Sequence, residues 1–108
     1  MERIETTILK NLIFNEDYSR KVLPFLKNEY FESYHEKVVF EEIAKFIIEY
    51  GNLPSKEAIV IESEKRTDIS DEGFKDISTL VTGLNEEKSD LQWLFDTTEK
   101  WCRDRAIY

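Results

Sequence analysis

Ser33-Tyr34-His35-Glu36-Lys37-Val38-Val39-Phe40-Glu41-Glu42-Ile43-Ala44-Lys45-Phe46-Ile47-Ile48-Glu49-Tyr50-Gly51 is the stretch on which the fold turns. Ser33 and Glu36 form an S-x-x-E pattern, in which each side chain can satisfy an orphan backbone N–H near the other. Phe40, Ile43, Ile47 and Tyr50 follow at spacings of three and four, the period of one helical face. Gly51 stands where a left-handed C-terminal cap belongs. Start, stripe and stop agree, and they predict a helix that serves as the central strut.

Toward the N-terminus, Ile4, Ile8 and Leu12 recur every four residues, with Leu9 and Ile13 beside them and charges on the other face. Asn15 is placed to cap a second, short helix that stops near Leu23-Pro24, because the residue before proline avoids helical geometry. Phe25, Leu26, Tyr30 and Phe31 then make an aromatic-rich connector expected to plug the core. Toward the C-terminus, Asn52-Leu53-Pro54-Ser55 is a corner, with Ser55 capping a helix that carries Ala58, Ile59 and Ile61. Ser70 caps a fifth helix whose inward face is Phe74, Ile77, Val81 and Leu84. Ser89 and Gln92 repeat the capping-box pattern, and a last helix runs from Asp90 onward. Leu91, Leu94, Phe95, Thr98, Trp101 and Cys102 make its stripe. No Gly, Asn or Pro follows Trp101, so this helix is expected to run on into further chain.

Composition agrees with an all-α fold, a compact bundle of five to six helices ending in an open-ended C-terminal helix. The 108 residues leave room for one core. A hydrophobic share of 41% and seven Phe, five Tyr and two Trp exclude a disordered acidic tail. Three Gly and two Pro are too little turn material for an all-β chain. The net charge of −8 disfavours direct nucleic-acid binding. A single cysteine, Cys102, excludes an internal disulfide and a cysteine-based zinc site. No apolar run approaches a membrane span, and Met1-Glu2-Arg3-Ile4-Glu5 lacks the features of a signal peptide. The expected compartment is the cytoplasm, that of the host if the gene is phage-borne.

Candidates for chemistry are few. His35 lies in the first turn of the strut helix, where Glu32 or Glu36 could orient it as a base. Position at a helix start explains it as well. Cys102 has Arg103 and Arg105 nearby, yet a lone cysteine on an amphipathic face is ordinarily a small buried hydrophobe. Asp68-Ile69-Ser70-Asp71-Glu72-Gly73 imitates the start of a calcium loop, but Thr79 stands where the bidentate glutamate is needed and Lys75 where an apolar residue is needed. The acidic pairs Glu41-Glu42, Asp71-Glu72 and Glu86-Glu87 point about 100° apart on a helix and read as solvated charge. No G-x-x-x-x-G-K-[ST] loop is present. The sequence therefore predicts no catalytic, cofactor-binding or metal-binding residues, and a surface that works by contact. Among the large aromatics, Tyr18, Tyr30, Tyr34, Trp93, Trp101 and Tyr108 exceed what a small core hides, and about four of these six are expected inside it on ordinary burial preferences. Trp93, Trp101, Ile107 and Tyr108 on the last helix are the expected protein interface.

The order of these features resembles the N-terminal domain of DnaB-type replicative helicases, closest to those of large tailed phages. The resemblance rests on an opening helix Glu5-Thr6-Thr7-Ile8-Leu9-Lys10-Asn11-Leu12-Ile13-Phe14 and on Glu29-Tyr30-Phe31-Glu32. It continues through Phe40-x-x-Ile43, through Tyr50-Gly51-Asn52-Leu53-Pro54-Ser55, and through Trp93-Leu94-Phe95-Asp96-Thr97-Thr98-Glu99-Lys100 with Arg103 and Arg105. It implies a globular helical domain over residues 1–89 and, over 90–108, the start of a hairpin or linker helix leading to an ATPase domain outside this sequence. ATP and Mg would belong to that ATPase domain. The implied role is a non-catalytic scaffold in a hexameric DNA helicase, with other helicase subunits, primase and a helicase loader as partners. A rival reading, a free-standing acidic phage protein that inhibits a host nucleic-acid enzyme, fits the same charge.

Overall fold

The computed structural model describes residues 3–106. Six α-helices lie among them: α1 (Ile4–Phe14), α2 (Glu16–Val22), α3 (Tyr34–Tyr50), α4 (Lys56–Glu64), α5 (Asp71–Thr82) and α6 (Leu91–Ala106). Two short turns of 3-10 helix, Leu23–Phe25 and Asn28–Tyr30, join α2 to α3. The Cα radius of gyration, 13.2 Å, matches the roughly 13 Å of a well-packed domain of this length. No helix among the described residues is long and apolar enough to cross a membrane.

Local chemistry sets most of the boundaries. Asn15 accepts the Tyr18 backbone N–H at 3.1 Å and starts α2. Ser55 accepts the Ala58 N–H at 3.0 Å at the head of α4, and Ser70 accepts the Gly73 N–H at 3.0 Å at the head of α5. Gly51 closes α3 with φ +70°, the left-handed geometry that only glycine adopts without cost, and its N–H returns to the Ile47 carbonyl at 2.8 Å. Acidic residues open α2 and basic ones close it, matching its dipole.

Of the two capping boxes read from the sequence, the one at α6 is overturned and the one at α3 loses its hydroxyl half. Ser33 does flank α3, but its hydroxyl makes no capping bond and lies instead 3.4 Å from His35 Nδ1. Glu36 is buried, with Arg3 Nη1 3.1 Å from its carboxylate and the Ser33 backbone N–H still acting on it. At α6 the cap is Asp90, whose carboxylate accepts the Trp93 N–H at 2.9 Å, while Gln92 donates forward to Asp96. A carboxylate one residue nearer the helix outcompetes the serine hydroxyl for the first free N–H.

The core joins Ile8, Leu9, Leu12 and Ile13 of α1 with Tyr18, Phe31, Val38, Val39, Ile43, Ile59, Ile77, Val81, Leu84 and Leu94. Helix α3 packs against α1, α4, α5 and the second 3-10 turn, so it is the strut the sequence predicts. Helix α1 departs from expectation, because its polar face is covered too. Glu5, Lys10 and Asn11 are all buried. Lys10 reaches Glu87 at 2.8 Å, and Asn11 donates to the Thr7 carbonyl. The pair Glu41-Glu42 is likewise not solvated charge. Arg66, in the loop after α4, lies 3.1 Å from one and 3.0 Å from the other and also holds Asp68 at 2.8 Å. Sequence spacing cannot show that a distant arginine will stand between neighbouring acids.

Candidate protein interface

Six large apolar residues stay exposed among the described residues: Phe25, Tyr34, Ile48, Tyr50, Ile61 and Trp93. Two of them, Phe25 and Ile48, mark out two grooves that meet at the first 3-10 turn. Pro24 has no N–H to continue α2, so the chain tightens through Leu23–Phe25. Leu26 turns inward and Phe25 turns outward, 69% exposed, which corrects the expectation that the whole connector plugs the core. The second 3-10 turn is fastened to α3 by Asn28 to the Glu41 carboxylate and by the Lys37 ammonium to the Phe31 carbonyl.

On one side of this ridge lies a groove of about 940 Å³ against α3, with Leu23, Pro24, Leu26, Phe40, Ala44 and Ile48 on its walls. Ile48 is 80% exposed there, on a helix that is otherwise amphipathic. On the other side, between α2 and α6, a smaller groove of about 350 Å³ is walled by Val22, Phe25, Tyr30, Phe95, Cys102 and Ala106. The Tyr18 hydroxyl and the Thr98 hydroxyl, 2.6 Å apart, hold α2 and α6 together beneath it. Burial pushes the Tyr18 phenol up, against the opposing pull of that hydrogen bond.

The predicted interface residues divide sharply. Trp93, near the start of α6, is half exposed at 51%. Trp101 is only 5% exposed and belongs to the core, so its assignment to the interface is corrected. Its ring lies 5.0 Å from Phe31 and edge-on to Tyr30 at 6.0 Å, and the Arg105 guanidinium covers it at 4.6 Å. The indole Nε1 points at Glu5 Oε2, 3.4 Å away, and Arg105 donates to the same oxygen at 2.9 Å and to the Tyr30 carbonyl at 2.8 Å. The last helix is therefore tied to α1 through Glu5 and packed against α2 and the second 3-10 turn. Ile107 and Tyr108 lie outside the described residues. Of the remaining aromatics, Tyr18 is fully covered, Tyr30 half-buried and Tyr34 exposed.

Glu5 and Glu36 share Arg3 beneath this anchor, Glu5 at 3.5 Å and Glu36 at 3.1 Å. Burial acts to raise the Glu5 pKa, but its own backbone N–H, Arg3, Trp101 and Arg105 together bring it below the usual value. Burial dominates at Glu36 and lifts its carboxyl, against the pull of Arg3 and of the Ser33 backbone N–H. One Glu36 oxygen has no hydrogen-bond partner.

The residues weighed for chemistry are otherwise engaged. His35 Nε2 lies 3.2 Å from Asp76 of α5, not from Glu32 or Glu36. Cys102 is half-buried, and burial raises its thiol pKa despite the opposing effect of Arg105, so it is not an activated nucleophile. Asp68 and Ser70, in the calcium-loop look-alike, are taken by Arg66 and by the α5 cap. No cluster of three His, Cys, Asp or Glu side chains among the described residues is placed to hold a metal ion. Sequence reasoning missed Phe25 and Ile48. The proline before Phe25 was the available signal for the first. Ile48 follows Ile47 and so had to point off the stripe.

No family model matches the chain. Over 101 residues it is 34% identical to a protein of Enterobacteria phage T4 described as a DnaB-like replicative helicase. The match takes in 94% of this chain, and the chain spans only 21% of the length of the phage protein.

Proposed function

Because this chain is a relative of DnaB-like replicative helicases, we propose that it serves as the non-catalytic N-terminal scaffold domain of a hexameric replicative DNA helicase. In this reading it pairs with neighbouring subunits and docks primase or a helicase loader during DNA replication. ATP and Mg are bound elsewhere in the helicase. The observation that carries the proposal is a match along nearly all of the chain to a helicase of which it represents about a fifth. Exposed apolar side chains without chemistry beside them support contact as the mode of action: Phe25, Ile48, Tyr50 and Trp93. Ile107 and Tyr108 stay candidates on the sequence alone.

The test is capture of the cognate primase, the loader and a tagged second copy by the purified chain, with ATP hydrolysis measured alongside. Retention of at least one of the three by the wild-type chain, lost in Trp93→Ala with unchanged circular dichroism, is the expected result. No hydrolysis above background is expected. ATP turnover by the pure chain, or no retention of any of the three, overturns the proposal.

A further inference from the structure

The charge balance inverts around the groove between α2 and α6. The whole chain carries −8, yet the charged residues lining this cavity are Lys21, Glu99 and Arg103, two cations against one anion. Glu99 and Arg103 stand 3.7 Å apart with both side chains mostly exposed, a pair that water screens to little. Lys21 is exposed, and its ammonium sits 4.7 Å over the Phe95 ring. No carboxylate among the described residues pairs with it. Between these cations the walls are apolar, and Phe25 forms a lip that solvent reaches over most of its surface.

We propose that this groove docks an acidic peptide segment, which seats one aromatic side chain between Phe25 and Phe95 while its flanking carboxylates meet Lys21 and Arg103. The volume, about 350 Å³, suits one large side chain and its neighbours, at the small end of ligand pockets. Aromatic walls give such an anchor edge-on or offset ring contacts. The cations supply direction and selectivity, since the lining carries one more cation than anion on a chain of net charge −8. Single-stranded nucleic acid would offer rings and negative charge as well. It would also bring a run of phosphates against a protein of net charge −8, where this groove supplies two cations, so the peptide is favoured. The site is separate from the Trp93 face and does not rest on the helicase reading.

The experiment is an amide-resolved NMR titration of the chain with four probes: blocked peptides Asp-Asp-Phe-Asp-Asp, Asp-Asp-Ala-Asp-Asp and Lys-Lys-Phe-Lys-Lys, and an oligothymidylate. The acidic phenylalanine peptide is expected to shift the amides of Val22, Phe25, Phe95 and Cys102 saturably, and the other three to leave them in place. Phe25→Ala, and separately the pair Lys21→Glu with Arg103→Glu, should each weaken that binding about tenfold, and added salt should weaken it too. All three positions are exposed, so the variants should keep the wild-type circular dichroism. Trp93→Ala should bind as wild type. Equal binding of the basic or the alanine peptide, oligothymidylate moving the same amides, or no shift at millimolar peptide would each overturn the proposal.

Discussion

Trp93 and Trp101 lie on one helix, and eight residues of α-helix turn their side chains about 80° apart. That angle divides a pillar of the core from a point of contact. Trp101 meets Phe31, Tyr30, Arg105 and Glu5, so both its ring and its N–H are accounted for within the chain. Trp93 meets little and stands half in water. Residue type therefore says less about role than the partners a position finds. A tryptophan with an arginine one turn onward and a buried carboxylate across the core becomes structure, and one without them stays available.

Four measurements would break or sharpen this contrast. Trp101→Ala should cost about 3–5 kcal/mol in urea unfolding, the range for removing a large buried aromatic side chain. A cost below about 1 kcal/mol would mean that α6 does not pack as described. Glu5→Ala should cost about 2 kcal/mol, because it leaves Arg105 and the indole N–H without their shared acceptor. The usual cost of breaking a buried pair is larger, but Arg105 is partly exposed and water can take up some of the loss.

The two carboxylates at the anchor should also respond to pH in opposite senses. Glu5 has a lowered pKa in the fold, so its contribution is present above the unfolded value and lost as pH falls through the folded one. Glu36 has a raised pKa, so the folded chain binds its proton more readily and stability from this group falls as pH rises through the folded value. Glu36→Gln should therefore be slightly more stable than wild type at pH 7, by under about 1 kcal/mol, with the gain shrinking as pH is lowered toward the carboxylate range. A variant less stable than wild type at pH 7 would show that the Arg3 bond outweighs burial. Smallest of all, Trp93→Ala should change stability by no more than about 0.5 kcal/mol, while still impairing capture of a partner.

What the sequence made legible was local. Asn15, Ser55, Ser70 and Gly51 each act within four residues of themselves, and each is found where spacing puts it. The all-helical class and the α3 strut followed from period and punctuation alone. The errors came where a partner far along the chain decided the outcome. Glu36 shares its carboxylate with Arg3 from the head of α1, and Glu41 and Glu42 are not free because Arg66 reaches back to them. Trp101 was already on the predicted inward stripe of α6, and Arg105 one turn later could have been read as its cover. Only Glu5, ninety-six positions away, was beyond sequence reasoning. Exposed Phe25 and Ile48 were passed over for a similar reason, since being left uncovered depends on what every other segment does.

The clasp on Arg66 carries over into susceptibility to proteases. The loop that follows α4 has the polar, surface character at which nicking ordinarily concentrates. Trypsin must draw the arginine side chain into its own specificity pocket, and here that side chain is held by Glu41, Glu42 and Asp68 at once. Digestion should accordingly begin at Lys88, exposed in the irregular segment between α5 and α6, and the Arg66–Thr67 bond should survive until the three carboxylates let go.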